Sequence, residues 1–160
     1  MYSCFEDEDF LYLVLEYAEK GTLRKFLKSN KISMQKKAEY FYCLADAINY
    51  LHKKKPPIYH KGIDLDNVLL SADDTVKFGD FGCKDLIIET LRSKIIGMPQ
   101  CAPEILLGHE ITDKVDVWSL GVLLYEMVSG KQPFDVDDNE LSNKEYFHTL
   151  RENITKNKPN

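Results

Sequence analysis

The sequence contains no C-x-x-C pair. Its four cysteines, Cys4, Cys43, Cys83 and Cys101, are scattered, which argues against a zinc site and against a disulfide framework and fits reduced thiols. No two of the eight glycines stand two residues apart, so the G-x-G-x-x-G pattern that covers a nucleotide phosphate does not occur. The start of the chain is acidic, Glu6-Asp7-Glu8-Asp9, where a signal peptide is basic and then apolar. The apolar run Leu120–Val128 is interrupted by Glu126 and falls far short of the roughly 20 residues that span a bilayer. A surplus of positive charge is also lacking: 21 Lys and Arg stand against 26 Asp and Glu, for a net charge of −5. That argues against nucleic acid as a partner. These absences leave a soluble intracellular protein, cytoplasmic or nuclear, with neither membrane nor nucleic acid among its partners.

What is present reads as one domain. The 160 residues are 44% hydrophobic and 29% charged, the balance of a globular chain. Phe10–Tyr17 is aromatic and β-branched, and predicts a strand buried on both faces, paired through the acidic turn with Met1–Phe5. Thr22 caps a short helix over Leu23–Ser29, and Ser33 caps a long one over Met34–Lys54. In the long helix Ala38, Phe41, Leu44, Ala45, Ile48, Leu51 and His52 recur at three- and four-residue steps, which makes an apolar stripe. Lys53–Lys55 suit the negative end of its dipole, and Pro56-Pro57 stop it. Two short strands, Val68–Leu70 and Val76–Phe78, flank the turn Ser71–Thr75. Cys83–Gly97 has no clean period and reads as a loop. Pro103 suits the first position of a helix over Glu104–Leu107. Lys114–Ser129 is a helix closed by Gly130, apolar nearly all round and therefore a core element. A last helix is expected over Lys144–Asn153, with Thr155–Asn160 frayed. The fold class is α+β.

Four motifs stand in order along this framework. They are Tyr59-His60-Lys61-Gly62 with Asn67, Asp80-Phe81-Gly82, Ala102-Pro103-Glu104, and Asp116-Val117-Trp118-Ser119-Leu120-Gly121. Together, at this spacing, they resemble the Ser/Thr protein kinase domain. Leu11–Ala18 with Gly21-Thr22-Leu23, and Lys114–Phe134, are most similar to the Aurora kinases. The resemblance implies a kinase-like α+β fold without the first strands, the regulatory helix and the last helices of the family's domain. Residues 1–18 then represent the small lobe and hinge, 19–155 a partial large lobe, and 156–160 a frayed tail.

The same resemblance assigns the site residues. Glu16, Tyr17 and Ala18 match the hinge that meets adenine, Leu69 the floor under the ring, and Asn67 and Asp80 the residues that hold Mg²⁺. Gly62 occupies the place of the aspartate that orients the substrate hydroxyl and accepts its proton. Asp64 occupies the place of the lysine that meets the transferring phosphate, and so repels the phosphate. Lys61 retains charge but loses the bidentate fork of the usual arginine. Met98 replaces a threonine, and Gly97–Glu104 is one residue short of the family pattern. By this comparison ATP and Mg²⁺ bind weakly or not at all. The chain is then a catalytically inactive kinase-like domain that acts through protein partners. The alternatives are an active ATP-dependent Ser/Thr kinase completed from elsewhere, and a non-enzymatic scaffold or binding module. Asp64 as a displaced base and Gly62 as a mere turn residue are further readings that geometry can separate.

Overall fold

The computed structural model describes residues 1–79, 99–134, 136 and 143–156. The expected loop over Cys83–Gly97 and the residues Asp80 and Met98 lie outside them. The element order is β1 (Ser3–Glu6), β2 (Leu11–Val14), α1 (Leu23–Ser29), α2 (Met34–His52), β3 (Val68–Leu70), β4 (Val76–Phe78), α3 (Pro103–Leu107), α4 (Lys114–Ser129) and α5 (Asn143–Lys156). The α+β class holds.

Local chemistry sets the element boundaries. Thr22 Oγ1 accepts the Lys25 N–H at 3.3 Å and Ser33 Oγ accepts the Lys36 N–H at 3.1 Å, so both capping residues close their helices as expected. Pro103 is the first residue of α3. Gly130 ends α4 at φ 73°, where its N–H reaches the Glu126 carbonyl, a left-handed cap that a side chain would strain. At the other end of the chain α5 runs on through Thr155 and Lys156, past the expected stop at Asn153.

The N-terminal hairpin corrects one expectation. β1 and β2 pair antiparallel, Ser3 opposite Val14, and Asp7 makes the turn by accepting the N–H groups of Asp9 and Phe10 and the Tyr12 hydroxyl. Those hydrogen bonds, led by Asp9, hold the Asp7 carboxyl below its ordinary range. The strand is shorter than Phe10–Tyr17, and it is not buried on both faces: every residue from Met1 to Tyr17 is exposed. An apolar run states that a strand wants cover, not that the same chain supplies it.

The core lies beyond the hairpin. Leu23 of α1, Tyr40, Leu44 and Ile48 of α2, Val68 and Leu70 of β3, and Leu123 and Met127 of α4 form one buried cluster. A smaller cluster joins Leu106, Val122, Phe134, Leu150 and Ile154. Tyr40 takes a core place that the stripe had assigned to Ala38, which is exposed. Both residues are at helical distance from the stripe, and the larger apolar body takes the covered side. The helix α4 is likewise not buried all round, since Val117 and Val128 are exposed.

β3 and β4 pair antiparallel around Ser71–Thr75. Asp73 fixes the turn by accepting the Ser71 hydroxyl at 2.6 Å and the Thr75 N–H at 3.2 Å, which hold its carboxyl down at about 2. The segment before α1 docks on this hairpin. Lys20 N–H donates to the Leu70 carbonyl, Leu70 N–H donates to the Gly21 carbonyl, and Thr22 bridges to Leu69.

Two outcomes follow. Leu13→Lys, on the exposed strand, shifts stability by no more than about 0.5 kcal/mol, whereas Leu44→Ala costs about 2–5 kcal/mol in chemical unfolding. A depressed carboxyl stabilises above its unfolded pKa, so the Asp73 turn keeps its contribution above pH 4 or so and loses it toward pH 2. An NMR titration places the Asp73 midpoint at about 2; a midpoint near 3.8, its ordinary value, contradicts the turn geometry.

Candidate functional site

The loop between α2 and β3 is fixed first by a residue from another element. Asp116, in the first turn of α4, is fully buried. Its Oδ2 accepts the His60 N–H at 2.9 Å and its Oδ1 the Lys61 N–H at 2.8 Å. His52 Nε2, at the end of α2, lies 2.7 Å from Oδ2. The N-terminal end of a helix favours a carboxylate, and here two backbone N–H groups and an imidazole surround it. Lys61 takes φ 59°, uncommon for a residue with a side chain, and its N–H bond to Asp116 holds it there. The buried His60 ring lies against Phe78, centroids 4.9 Å apart.

The second half of the loop is closed by Asp64. Its Oδ1 accepts the N–H groups of Asp66 at 2.6 Å and Asn67 at 3.0 Å. Its Oδ2 accepts Gln100 Nε2 at 3.0 Å. Asn67 Nδ2 donates to the Gly62 carbonyl at 2.6 Å, and the Asn67 carbonyl accepts the Gly79 N–H at 2.8 Å. Gly62, Asp64 and Asn67 therefore lie together on one hydrogen-bonded turn. Positive φ at a glycine occurs, among the described residues, at Gly21, Gly108 and Gly130. Gly62 is not among them. No left-handed φ therefore calls for a glycine at this position.

Arg24 ties the loop to its surroundings. Its Nε donates to Asp66 Oδ2 at 2.6 Å, and its guanidinium meets the Glu126 carboxylate on α4. Gln132 Nε2 holds the other oxygen of Glu126 at 2.5 Å. Burial pulls the Arg24 pKa down, but the bonds to Glu126 and Asp66 outweigh it and raise it. Sequence reading missed this clamp. Its ends are far apart in the chain, and Arg24 reads as an ordinary charged residue on a short helix.

The expected nucleotide residues lie along the segment leading to α1. Glu16 is exposed and its carboxylate meets Lys77 Nζ on β4. Ala18 is half-buried, and its carbonyl accepts the Gly21 N–H at 3.0 Å. Leu69 is half-buried, and its Cδ1 lies 3.4 Å from where a Cβ on Gly79 would stand. Of the expected metal ligands Asn67 is in place, while Asp80 falls outside the described residues. Among those described, no three His, Cys, Asp or Glu side chains gather as a metal site. The Asn67 amide nitrogen is engaged with Gly62, so Oδ1 is the atom of that side chain able to meet a cation.

Comparison with known proteins bears directly on this loop. The protein kinase domain family matches residues 1–160. The chain belongs to the protein kinase domain family. An Aurora kinase from Candida glabrata is 38% identical over 147 residues, covering 90% of this chain and 40% of that protein. An Aurora kinase from Schizosaccharomyces pombe is 38% identical over 137 residues, covering 84% and 38%. The protein kinase C zeta type of Oryctolagus cuniculus is 36% identical over 153 residues, covering 92% and 26%. The chain thus spans about two fifths of the length of the Aurora kinases it matches. The Ser/Thr kinase character and Aurora likeness inferred from the motifs hold, and ATP and Mg²⁺ are the cofactors this family uses in general. Among the described residues no helix is long and apolar enough to cross a membrane.

Within this kinase domain the Asp116 junction should dominate local stability. Asp116→Ala strands two backbone donors and an imidazole, and is expected to cost about 3–5 kcal/mol. That is a large share of the 5–15 or so available to a domain. Unfolding in urea checks it, and a loss below about 1 kcal/mol removes the junction from its central place.

Proposed function

We propose that this chain is a Ser/Thr kinase-like domain that does not transfer phosphate with its own loop and acts through contacts with other proteins. The observation that carries the reading is Gly62, where the family's pattern has the carboxylate that orients and deprotonates the substrate hydroxyl. A general base contributes typically 10²–10⁴ or so in rate, and a glycine contributes none of it. Asp64 is a poor replacement. Both its oxygens are engaged, with the N–H groups of Asp66 and Asn67 and with Gln100, so it serves the turn rather than a substrate. It also brings negative charge where a transferring phosphate would pass.

The residues able to meet ATP are Glu16 and Ala18 through their backbone and Leu69 through its side chain, with Asn67 and Asp80 toward Mg²⁺. The fit is partial. Leu69 is half-buried and can lie under a ring, but the 160 residues carry no glycine-rich phosphate loop, and Mg²⁺ usually needs nucleotide phosphates as co-ligands. Nucleotide binding by this chain is therefore weak or absent. When bound, ATP and Mg²⁺ supply the transferable phosphoryl group and its charge neutralisation; the chain's own part is to position them. Protein contacts have a surface in the exposed hairpin, where Phe5, Leu11 and Leu13 are uncovered. Patches of this kind mark interaction sites.

The preserved frame of His60, Asn67 and Asp116 favours a second reading, an active kinase whose remaining parts come from elsewhere. One experiment separates them. The chain is fused behind a complete small lobe carrying a glycine-rich loop and strand lysine, and transfer from ATP to a basic peptide is measured. The expected result is no transfer by the parent fusion, with Gly62→Asp raising the rate by about 10²–10⁴. Transfer by the parent that disappears with Asp80→Asn establishes the active reading instead.

A further inference from the structure

We infer that the groove between α1, the turn that follows it and the C-terminal end of α4 is a docking site for an acidic peptide bearing an apolar side chain. The groove encloses about 560 Å³ and is lined by Lys28, Lys31 and Lys37, with Leu27, Ile32 and Val128 along its floor. This is room for a few side chains. It lies apart from the loop and does not depend on whether phosphate is transferred.

Charge carries the first step. Lys20, Lys36, Lys77, Lys114 and Lys156 each sit on a carboxylate of the chain. Lys28, Lys31 and Lys37 have no such partner among the described residues, although acids outnumber bases 26 to 21. Three lysines without a carboxylate partner among the described residues thus line one concavity of an acidic protein. Arg24, also on the wall, is already held by Asp66 and Glu126. It shapes the groove and is not free to read a ligand.

The floor and the far wall choose among anions. Leu27 and Ile32 are half-buried and Val128 is exposed, so the floor can cover an apolar side chain that a phosphate backbone does not offer. The far wall holds Glu126 and the last residues of α4, Ser129 with Gly130. The negative end of that helix and a carboxylate repel a dense polyanion, but backbone N–H groups of a peptide suit them. Spaced carboxylates toward the lysines, an apolar side chain on the floor and amides toward the helix end satisfy all three walls together.

The test uses the full 160-residue chain and a fluorescein-labelled decapeptide of alternating glutamate and leucine. Anisotropy at low salt is expected to give saturable binding in the range of roughly 10–100 μM, weakening as salt screens the ammonium groups. Lys28→Glu with Lys31→Glu raises Kd about tenfold or more, and Val128→Asp raises it several-fold. Lys53→Glu with Lys55→Glu, at the end of α2, leaves it unchanged. Among the described residues the groove lysines form no ion pair, so thermal unfolding of their variants should match the parent. Lysine footprinting by mass spectrometry on the unsubstituted chain needs no variant: the peptide should protect Lys28, Lys31 and Lys37 and leave Lys114 and Lys156 reactive. The proposal is overturned by absence of saturable binding or by an unchanged Kd in the Lys28/Lys31 variant. It is equally overturned by protection elsewhere, or by competition from polyuridine RNA or polyphosphate as effective as that of unlabelled peptide.

Discussion

The rest of the domain depends on one buried carboxylate. Asp116 is fully inaccessible and stands where three parts of the chain meet: the end of α2 through His52, the start of the loop through His60 and Lys61, and α4 itself. A buried charge without partners is costly, and with all of them in place it permits few alternative arrangements. The left-handed Lys61 is held by it, through the N–H that Lys61 donates to Oδ1 beside the one that His60 donates to Oδ2. From there the loop has little freedom before Asp64 closes its second half.

Two kinds of residue can then be told apart. Asp116, Asn67 and the buried His60 hold the loop in shape. Gly62 and Asp64 stand where the family's motif has the groups that face substrate and phosphate. Gly62 presents only its carbonyl, to Asn67, and Asp64 presents both oxygens to the chain itself. Asp64 accepts hydrogen bonds that a lysine at the same place cannot. Asp64 is thus the residue that closes the turn.

Much of this architecture was legible from the residues, and where reading failed the reason is physical. Thr22, Ser33, Pro103 and Gly130 announce helix ends because capping is local chemistry, decided within four residues. The four motifs led to the right family because their order and spacing are one-dimensional facts. Exposure of the β1–β2 hairpin was not legible, because an apolar strand looks the same whether covered or not. His52 was read as part of an apolar stripe; its bond to Asp116 spans 64 positions, and a lone histidine on a helix face carries no sign of it. The Arg24 clamp, reaching across 102 positions to Glu126, was hidden for the same reason.

Gly62 shows how structure can decide between two meanings of a single residue. On sequence alone it could be a glycine required by the turn, in which case the missing carboxylate would be a by-product of backbone geometry. The positive φ falls one residue earlier, at Lys61, and Gly62 has no such requirement. The bond from Asn67 Nδ2 goes to the Gly62 main-chain carbonyl, an atom that every residue type supplies. Neither a left-handed φ nor the hydrogen bond to its carbonyl thus requires a glycine at position 62.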